Sequence, residues 1–596
     1  MIATFALLLC SAAPGSQAGG ATQPPAPQVG FPGLPTGFRP RVEIAWNRFY
    51  DAVEIDALMA RMAAQWPKLM REHALGSSVE GRPLRLWILG DESSGPLDDK
   101  PAMWVDGNIH GNEVQGAEAV AYLAWYLLEN SESNAEVAAL LERASFHLLP
   151  MVNPDGRARW FAEAHNASSS RTGAKPTDDD DDGRFDEDGP NDLDGDGHIV
   201  QMRKHAPGQG THRLDPDDPR VMVPVPPNDE GRRGDWLLLG SEGFDDDGDG
   251  RVDEDGVGGY DMNRAWPSMW EPEHVQRGAG PYPLHWPETR AIAEWLRSRP
   301  EVAAVQSFHN MGGMILRGPG AESFGSYEPA DVRVYDELGR DGELMLPFYR
   351  YMVLWKDLYT VYGGFVTWTY EGLGIVSFTN ELWNDDQMFP ERSKVASGAL
   401  AGGDKQRRWF DDKLLAGAGF VDWREVDHPV HGKVEVGGWR KDVGRVPPSF
   451  LVEEMLHRNA LFCIAHAAAM PEVSIEEPQL LDLGDGLKAL DVVVRNKRAI
   501  PTRTAQAAKH KLGLMDSISL EGKDVEVLAA GVRGDRFRPD RIELAEREPA
   551  VLRLEQGVPG RGEVRVRFYL RGEGRRATIR WRGEKGRDAR RDVPLD

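Results

Sequence analysis

Apolar positions between residues 41 and 472 follow two alternating rhythms. Ile55, Leu58, Met59, Met62, Leu69 and Met70 recur at helical spacing, which predicts a helix over 55–73. A turn at Gly81-Arg82-Pro83 leads into a strand reaching Leu89, and Pro101–Val105 is a second short apolar run. Val114–Leu128 has the pattern of a buried helix, and Ser145–Val152 is an apolar strand ending in Asn153-Pro154-Asp155-Gly156. Alternation of helix and strand resumes at 287–308 and continues to about 470, closing with a helix over 449–469 that carries Leu451, Met455, Leu461, Phe462 and Ile464. Such alternation predicts an α/β domain over 41–472 with a parallel or mixed sheet. From 473 the rhythm shortens to strand period. Ala489–Val494, Val525–Ala529, Val564–Leu570 and Ala577–Trp581, separated by glycine-containing turns, predict a β-sandwich over 473–596.

Two stretches break the rhythm. The apolar run near the N-terminus, with Ser16-Gln17-Ala18 as its cleavage site, predicts a signal peptide over 1–18, although no Lys or Arg precedes it. A Gly/Pro/Ala-rich linker follows over 19–40. The protein is therefore expected to be secreted or periplasmic, with no transmembrane segment after the signal. Cleavage would remove Cys10 and leave Cys463, so neither a disulfide framework nor a cysteine zinc site is expected. The second break, 157–259, is long, polar and rich in Gly, Asp and Pro, and is expected to be an irregular insertion.

The net charge of −25 is concentrated there. Residues 178–197 and 242–256 hold 19 acidic and two basic residues, which accounts for 17 of the 25 excess negative charges. A balance of this sign argues against nucleic acid as a partner. Three Asp-x-Asp-x-Asp-Gly strings run through the two segments: Asp178/Asp180/Asp182, Asp192/Asp194/Asp196 and Asp245/Asp247/Asp249. Alternate carboxylates before a glycine turn can converge on one Ca²⁺. None has an acid at the twelfth position of an EF-hand, so they resemble the calcium loops of thrombospondin-type or dockerin-type repeats, with Asp186, Glu187, Asp253 and Glu254 available to complete the sites.

Catalytic chemistry gathers where apolar strands end. His110-Gly-Asn-Glu113 lies between a predicted strand and a helix, His309 ends another strand, and Glu381 ends a third. An imidazole and a carboxylate three residues apart can share a Zn²⁺ ion, although a surface histidine beside a helix N-terminal acid reads the same, and a carboxylate at a strand end is where a general base is needed.

With these residues in view, the chain resembles the carboxypeptidase A-like zinc carboxypeptidases over about 45–470. The likeness is carried by Gly81-Arg82-Pro83-Leu84, His110-Gly-Asn-Glu113, Asn153-Pro-Asp-Gly156, Asp261-Met-Asn263-Arg264, Pro287-Glu-Thr289, His309, and Tyr359 through Gly363-Gly364, Trp368 and Tyr370 to Glu381. The resemblance implies an eight-stranded mixed sheet flanked by helices. It implies a zinc ion on His110, Glu113 and His309, with Glu381 as base toward the zinc-activated water. Asn263 and Arg264 would grip the terminal carboxylate of a peptide or protein, Tyr359 would cover the last residue, and Val366 would favour an apolar or neutral one. An arginine polarising the scissile carbonyl is also implied. Arg203 is expected in that role, with Arg171 the runner-up. The function expected is hydrolysis of C-terminal peptide bonds, with peptidoglycan stem peptides as a second substrate class. The rival is an inactive peptidase fold with a calcium- or surface-binding role.

Overall fold

A mixed sheet of eight strands organises the chain from Met70 to Leu382. The computed structural model describes residues 39–596, apart from 165, 167–169, 179–180, 227–232, 249, 254, 385–403, 535–537 and 539–540. The expected signal peptide, nearly all of the linker, Asp180, Asp249 and Glu254 lie outside the described residues. From edge to edge the strands are Met70–Ser77, Pro83–Leu89, Ser145–Leu149, Ala102–Gly107, Val302–Asn310, Val376–Leu382, Met314–Arg317 and Arg350–Val353. The middle four are mutually parallel, and antiparallel pairings flank them on both sides. Every residue of Ala102–Gly107, Ser145–Leu149 and Val302–Asn310 is buried, as expected of parallel strands covered on both faces. The helices Gln115–Asn130 and Ser449–Ala468 pack on each other and on Val302–Asn310. Trp286, Ile292 and Trp295 from the helix region at 286–298 share a core with Trp104, Val305 and Leu316. No helix among the described residues is long and apolar enough to cross a membrane.

Three expectations need correction. The first helix spans Ala52–Gln65 rather than 55–73. Pro67 cannot continue it, and Met70 opens the edge strand instead. The insertion is not irregular throughout. Its strands Gln201–Gly210, His212–Leu214, Met222–Pro224 and Gly234–Ser241 join a hairpin, Phe420–His428 with Gly432–Trp439, in one six-stranded antiparallel sheet. That hairpin also interrupts the helix and strand alternation expected to run to 470. The sheet closes on Val200, Met202, Val421, Val434 and Val436. Such a core draws on segments far apart in the chain, so local periodicity does not show it.

Beyond Val473 lie two further sheets of antiparallel strands, which share a core that includes Leu490, Val492, Ile518, Ile579 and Trp581. They dock on the α/β part through polar contacts. Asp331 accepts hydrogen bonds from the backbone N–H groups of Ala505 and Gln506, both at 2.9 Å. Thr504 Oγ1 donates to the Gly374 carbonyl at 3.0 Å, and the buried Lys585 Nζ donates to Val302 O at 2.7 Å.

One buried ion pair braces the sheet's carboxyl edge. Arg157, wholly inaccessible to solvent, donates to Glu118 Oε1 at 2.6 Å, to Val114 O at 2.7 Å, to Asn108 Oδ1 at 3.1 Å and to Tyr50 O. It thereby joins two helices to the loop after Ala102–Gly107. Arg157→Met strands the Glu118 carboxylate in the core. Urea unfolding should show a loss of about 3–5 kcal/mol, partly restored by Glu118→Gln in the same chain.

Candidate active site

Strand ends and the loop leaving Ala102–Gly107 build the site, beyond the carboxyl edge where open α/β sheets place their chemistry. Asn108 takes a left-handed backbone, φ 58°, and its Nδ2 donates to the carbonyls of His110 at 2.7 Å and Gly111 at 3.1 Å. The loop is thus folded tightly enough to bring His110 and Glu113 round to one side. Gly111 lies against Gly156, and a Cβ on Gly111 would fall 2.5 Å from the Gly156 Cα. Asn153 caps the helix that begins there, its Oδ1 accepting from Gly156 N at 2.8 Å. Asp155 holds the 78–82 turn through Ser78 Oγ at 2.6 Å, Glu80 N at 3.0 Å and Arg82 Nη1 at 2.8 Å. Glu288 accepts from Val79 N at 3.0 Å. The motifs at 81–84, 153–156 and 287–289 therefore serve as scaffolding for the His110–Glu113 loop.

His110, Glu113 and His309 are each 2–3% exposed, and their donor atoms all lie within 4.8 Å of one another. His110 Nδ1 is 2.9 Å from Glu113 Oε1, and His309 Nδ1 is 3.0 Å from Glu113 Oε2. The other ring nitrogen of His110 lies 3.1 Å from Asp261 Oδ1. Arg171 Nη2, a donor only, is 3.0 Å from the same nitrogen; with the Nε2 proton given to Asp261, the Nδ1 lone pair faces the cluster. Two imidazole nitrogens and a carboxylate, converging in a buried space, fit a zinc ion, and Asp261 is placed to orient one of them. Burial alone would raise the Glu113 and Asp261 carboxyls. The rings of His110 and His309 hold Glu113 well below the usual carboxylate range, and His110, Arg264 and Arg171 do the same for Asp261.

Glu381 stands directly beside His309 in the parallel register of Val376–Leu382 on Val302–Asn310. Burial and the nearby Glu113 push its carboxyl up to about 7, against the pull of His309, Arg171 and Arg445. A cavity of about 490 Å³ opens in front of these groups. Asn263 and Arg264 line it, as do Tyr359, Val366, Met314, Leu316, Leu354 and Phe365, so one part of the cavity is apolar. Asn263 Oδ1 accepts from Phe365 N at 2.9 Å, and the half-exposed Tyr359 stands at the rim. Gly363, at φ 63°, is required where it stands, because a Cβ there would meet the Arg264 carbonyl at 2.3 Å.

The expectation for the polarising arginine is overturned. Arg203 is on the insertion sheet and does not line this cavity. Its guanidinium pairs with Glu435 at 2.7 Å and is sandwiched between the rings of Trp236 and Trp423, 4.4 and 4.0 Å away. Arg171 takes the place beside the cluster, 3.1 Å from Glu113 Oε1 and 3.3 Å from Asp261 Oδ2. Gly111 N donates to the Arg171 carbonyl at 3.0 Å, which anchors this early part of the insertion to the His110–Glu113 loop. Sequence reasoning quoted Asp261 without seeing its contact with His110, and it missed Arg445, which also lines the cavity.

The acidic strings share one local geometry. Asp178, Asp192 and Asp245 accept from the N–H of Gly183, Gly197 and Gly250 at 2.9, 2.7 and 3.1 Å. Carboxylates of Asp192, Asp194 and Asp196 come within 4.8 Å of one another, as do those of Asp182, Glu187 and Asp247. Arg424 of the hairpin neutralises part of the first group, 3.1 Å from Asp194 and 2.7 Å from Asp196. Asp186 accepts from Thr177 N at 3.2 Å and Gly258 N at 3.1 Å, and burial together with Asp188 pushes Asp253 up to about 7.

The zinc carboxypeptidase family model (Peptidase_M14) matches residues 55–194 and 240–398, and the chain belongs to that family. Residues 472–594 match a domain of unknown function, DUF8731. Carboxypeptidase D of Mus musculus is 32% identical over 125 residues, which are 21% of this chain and 9% of that protein. Carboxypeptidase B of Astacus astacus is 31% identical over 118 residues, 20% of this chain and 37% of that one. The matched stretch thus spans well under half of these relatives. Among solved structures, carboxypeptidase A from Helicoverpa armigera aligns over 72% of this chain and 75% of its own, at 15% identity and a TM-score of 0.41.

Asp261→Asn should weaken zinc binding about 10- to 100-fold, read by chelator competition, with the far-UV circular dichroism unchanged.

Proposed function

We propose that this chain is a zinc metallocarboxypeptidase that releases the C-terminal residue of peptides. The observation that carries the reading is the adjacency of Glu381 and His309 in one strand register, facing the loop of His110 and Glu113, with Asn263 and Arg264 in the same cavity. Zinc held by His110, Glu113 and His309 would supply Lewis acidity, making water a competent nucleophile near neutral pH. Glu381 takes a proton from the attacking water and passes it to the leaving amine nitrogen. Asn263 and Arg264 receive the terminal carboxylate, the guanidinium as a two-pronged donor, so only the last peptide bond is presented. Val366, Met314, Leu316 and Leu354 favour an apolar terminal side chain, which Tyr359 covers. Arg171 polarises the scissile carbonyl.

Export to the periplasm or the medium belongs to the same reading and rests on the N-terminal apolar run. Calcium in the insertion is its second part, supported by the converging carboxylates of the Asp192 and Asp182 groups. If excess EGTA leaves the melting temperature and the protease resistance of 170–260 unchanged, and elemental analysis finds no calcium, that part is wrong. The expected result is a lower melting temperature and cleavage within the insertion.

The purified protein should contain one zinc and release apolar C-terminal residues from a peptide panel, with activity blocked by phenanthroline. Glu381→Gln should lower kcat by about 10²–10⁴. Arg171→Ala should cost about 10²–10³, whereas Arg203→Ala should leave kcat within about twofold. Muropeptides in the panel test the stem-peptide alternative. Bound zinc without release from any substrate would favour the inactive fold.

A further inference from the structure

Two guanidinium groups face the buried carboxylate cluster, and the second comes from outside the family-matched stretches 55–194 and 240–398. Arg445 lies in the turn that follows the hairpin strand Gly432–Trp439, itself paired with the insertion strand Gln201–Gly210. Its backbone is tied to the site. The Arg445 carbonyl accepts from Gln115 Nε2 at 2.8 Å and from Asn310 Nδ2 at 3.3 Å. Gln115 is two residues beyond Glu113, and Asn310 directly follows His309, so the turn is pinned to both segments that supply the candidate ligands. The side chain enters the cavity shared by Arg171, His309 and Glu381. Its Nη2 is 4.0 Å from Glu113 Oε1, the one ion pair it makes among the described residues. Its Nε is buried with no hydrogen-bond partner among them.

A guanidinium carries five donors, and leaving such donors unmatched away from water is costly. Held beside the reacting groups, it is disposed toward an anion that arrives with the substrate. A peptide brings two: its terminal carboxylate, and the scissile carbonyl oxygen as it gains charge. The first is matched by Asn263 and Arg264. Arg445 shares the cavity wall with Arg171, His309 and Glu381 and comes within 4.0 Å of Glu113, the groups that would meet the second.

Resting on the carboxypeptidase reading, we propose that Arg445 is a further catalytic residue that donates, with Arg171, to the scissile carbonyl oxygen. In the step it serves, the water oxygen bonds to the carbonyl carbon while the C=O π pair moves onto oxygen and Glu381 accepts the water proton. When that pair returns, the C–N bond breaks and the amine nitrogen takes the proton from Glu381. Both guanidiniums keep their protons throughout.

The test uses the full chain, zinc-loaded, as wild type, Arg445→Gln and Arg445→Lys. It measures zinc content, thermal melting, kcat and KM on a blocked dipeptide, and calorimetric affinity for two probes. One probe is a phosphonate dipeptide analogue, which presents a tetrahedral anion. The other is a carboxylate inhibitor lacking that group. Arg445→Gln should keep its zinc and its melting temperature. It should lose about 10²–10³ in kcat with KM changed less than about threefold. Phosphonate affinity should fall by a similar factor while the carboxylate inhibitor binds as before, and Arg445→Lys should recover part of both. Unchanged kcat and phosphonate affinity would overturn the proposal. So would a rise in KM with loss of the carboxylate inhibitor alone, or a defect confined to peptides with Asp or Glu before the scissile bond. An inactive wild type sinks the parent reading and this one together, whereas an active wild type with an indifferent Arg445→Gln sinks this one alone.

Discussion

A carboxylate removed from water has to be matched by positive charge or by donors, and Glu113 imposes that demand on everything near it. His110 and His309 lie against its two oxygens, Arg171 reaches one of them, and Arg445 approaches from the late part of the α/β domain. Asp261 then balances the positive side by holding His110 and Arg171. The arrangement is electrostatically poised for a divalent cation, because each buried negative group has a partner that a metal would supplement rather than displace from the fold. Ligands, base and arginines thus arrive from six separate segments, around residues 110–113, 171, 264, 309, 381 and 445, and meet in one cavity.

Meeting there depends on packing as much as on charge. The His110–Glu113 loop is held from behind by Asn108, by the contact of Gly111 with Gly156, and by Arg157 buried against Glu118. Asn153, Asp155 and Glu288 extend that support to the edge of the sheet. Residues that touch no substrate thus fix the geometry of those that would, which is the ordinary requirement for a metal site of defined shape.

Much of this was readable in the sequence. The buried strands around Met103, Phe146 and Val305 are largely apolar in sequence, so the α/β core follows from local pattern, whereas the roles expected of His110, Glu113, His309 and Glu381 come from the resemblance to the zinc carboxypeptidases. The strands of the C-terminal sheets alternate cleanly, as Val564–Leu570 illustrates, because one face meets the shared core and the other meets solvent. The failures have a common cause. Arg203 could not be placed from spacing, since the insertion fills the very interval, between Asn153-Pro-Asp-Gly156 and Asn263-Arg264, in which the polarising arginine is expected. The insertion sheet was hidden because Val200 and Met202 find their apolar partners in Val421, Val434 and Val436. Arg445 carried no local signal, for its role depends on where a distant hairpin docks.

The six-stranded sheet couples the two ends of the α/β part in time as well as in space. Two of its five buried core residues, Val200 and Met202, are made early, and the other three arrive only with 421–436. While the chain is being synthesised, Val200 and Met202 lack Val421, Val434 and Val436, and the turn bearing Arg445 cannot settle beside Glu113 until the hairpin has emerged and paired. Long-range pairings of this kind form late. The pocket is therefore finished by one of the last pieces of the domain to leave the ribosome, so a half-made chain carries the ligand triad before it carries the complete constellation around it.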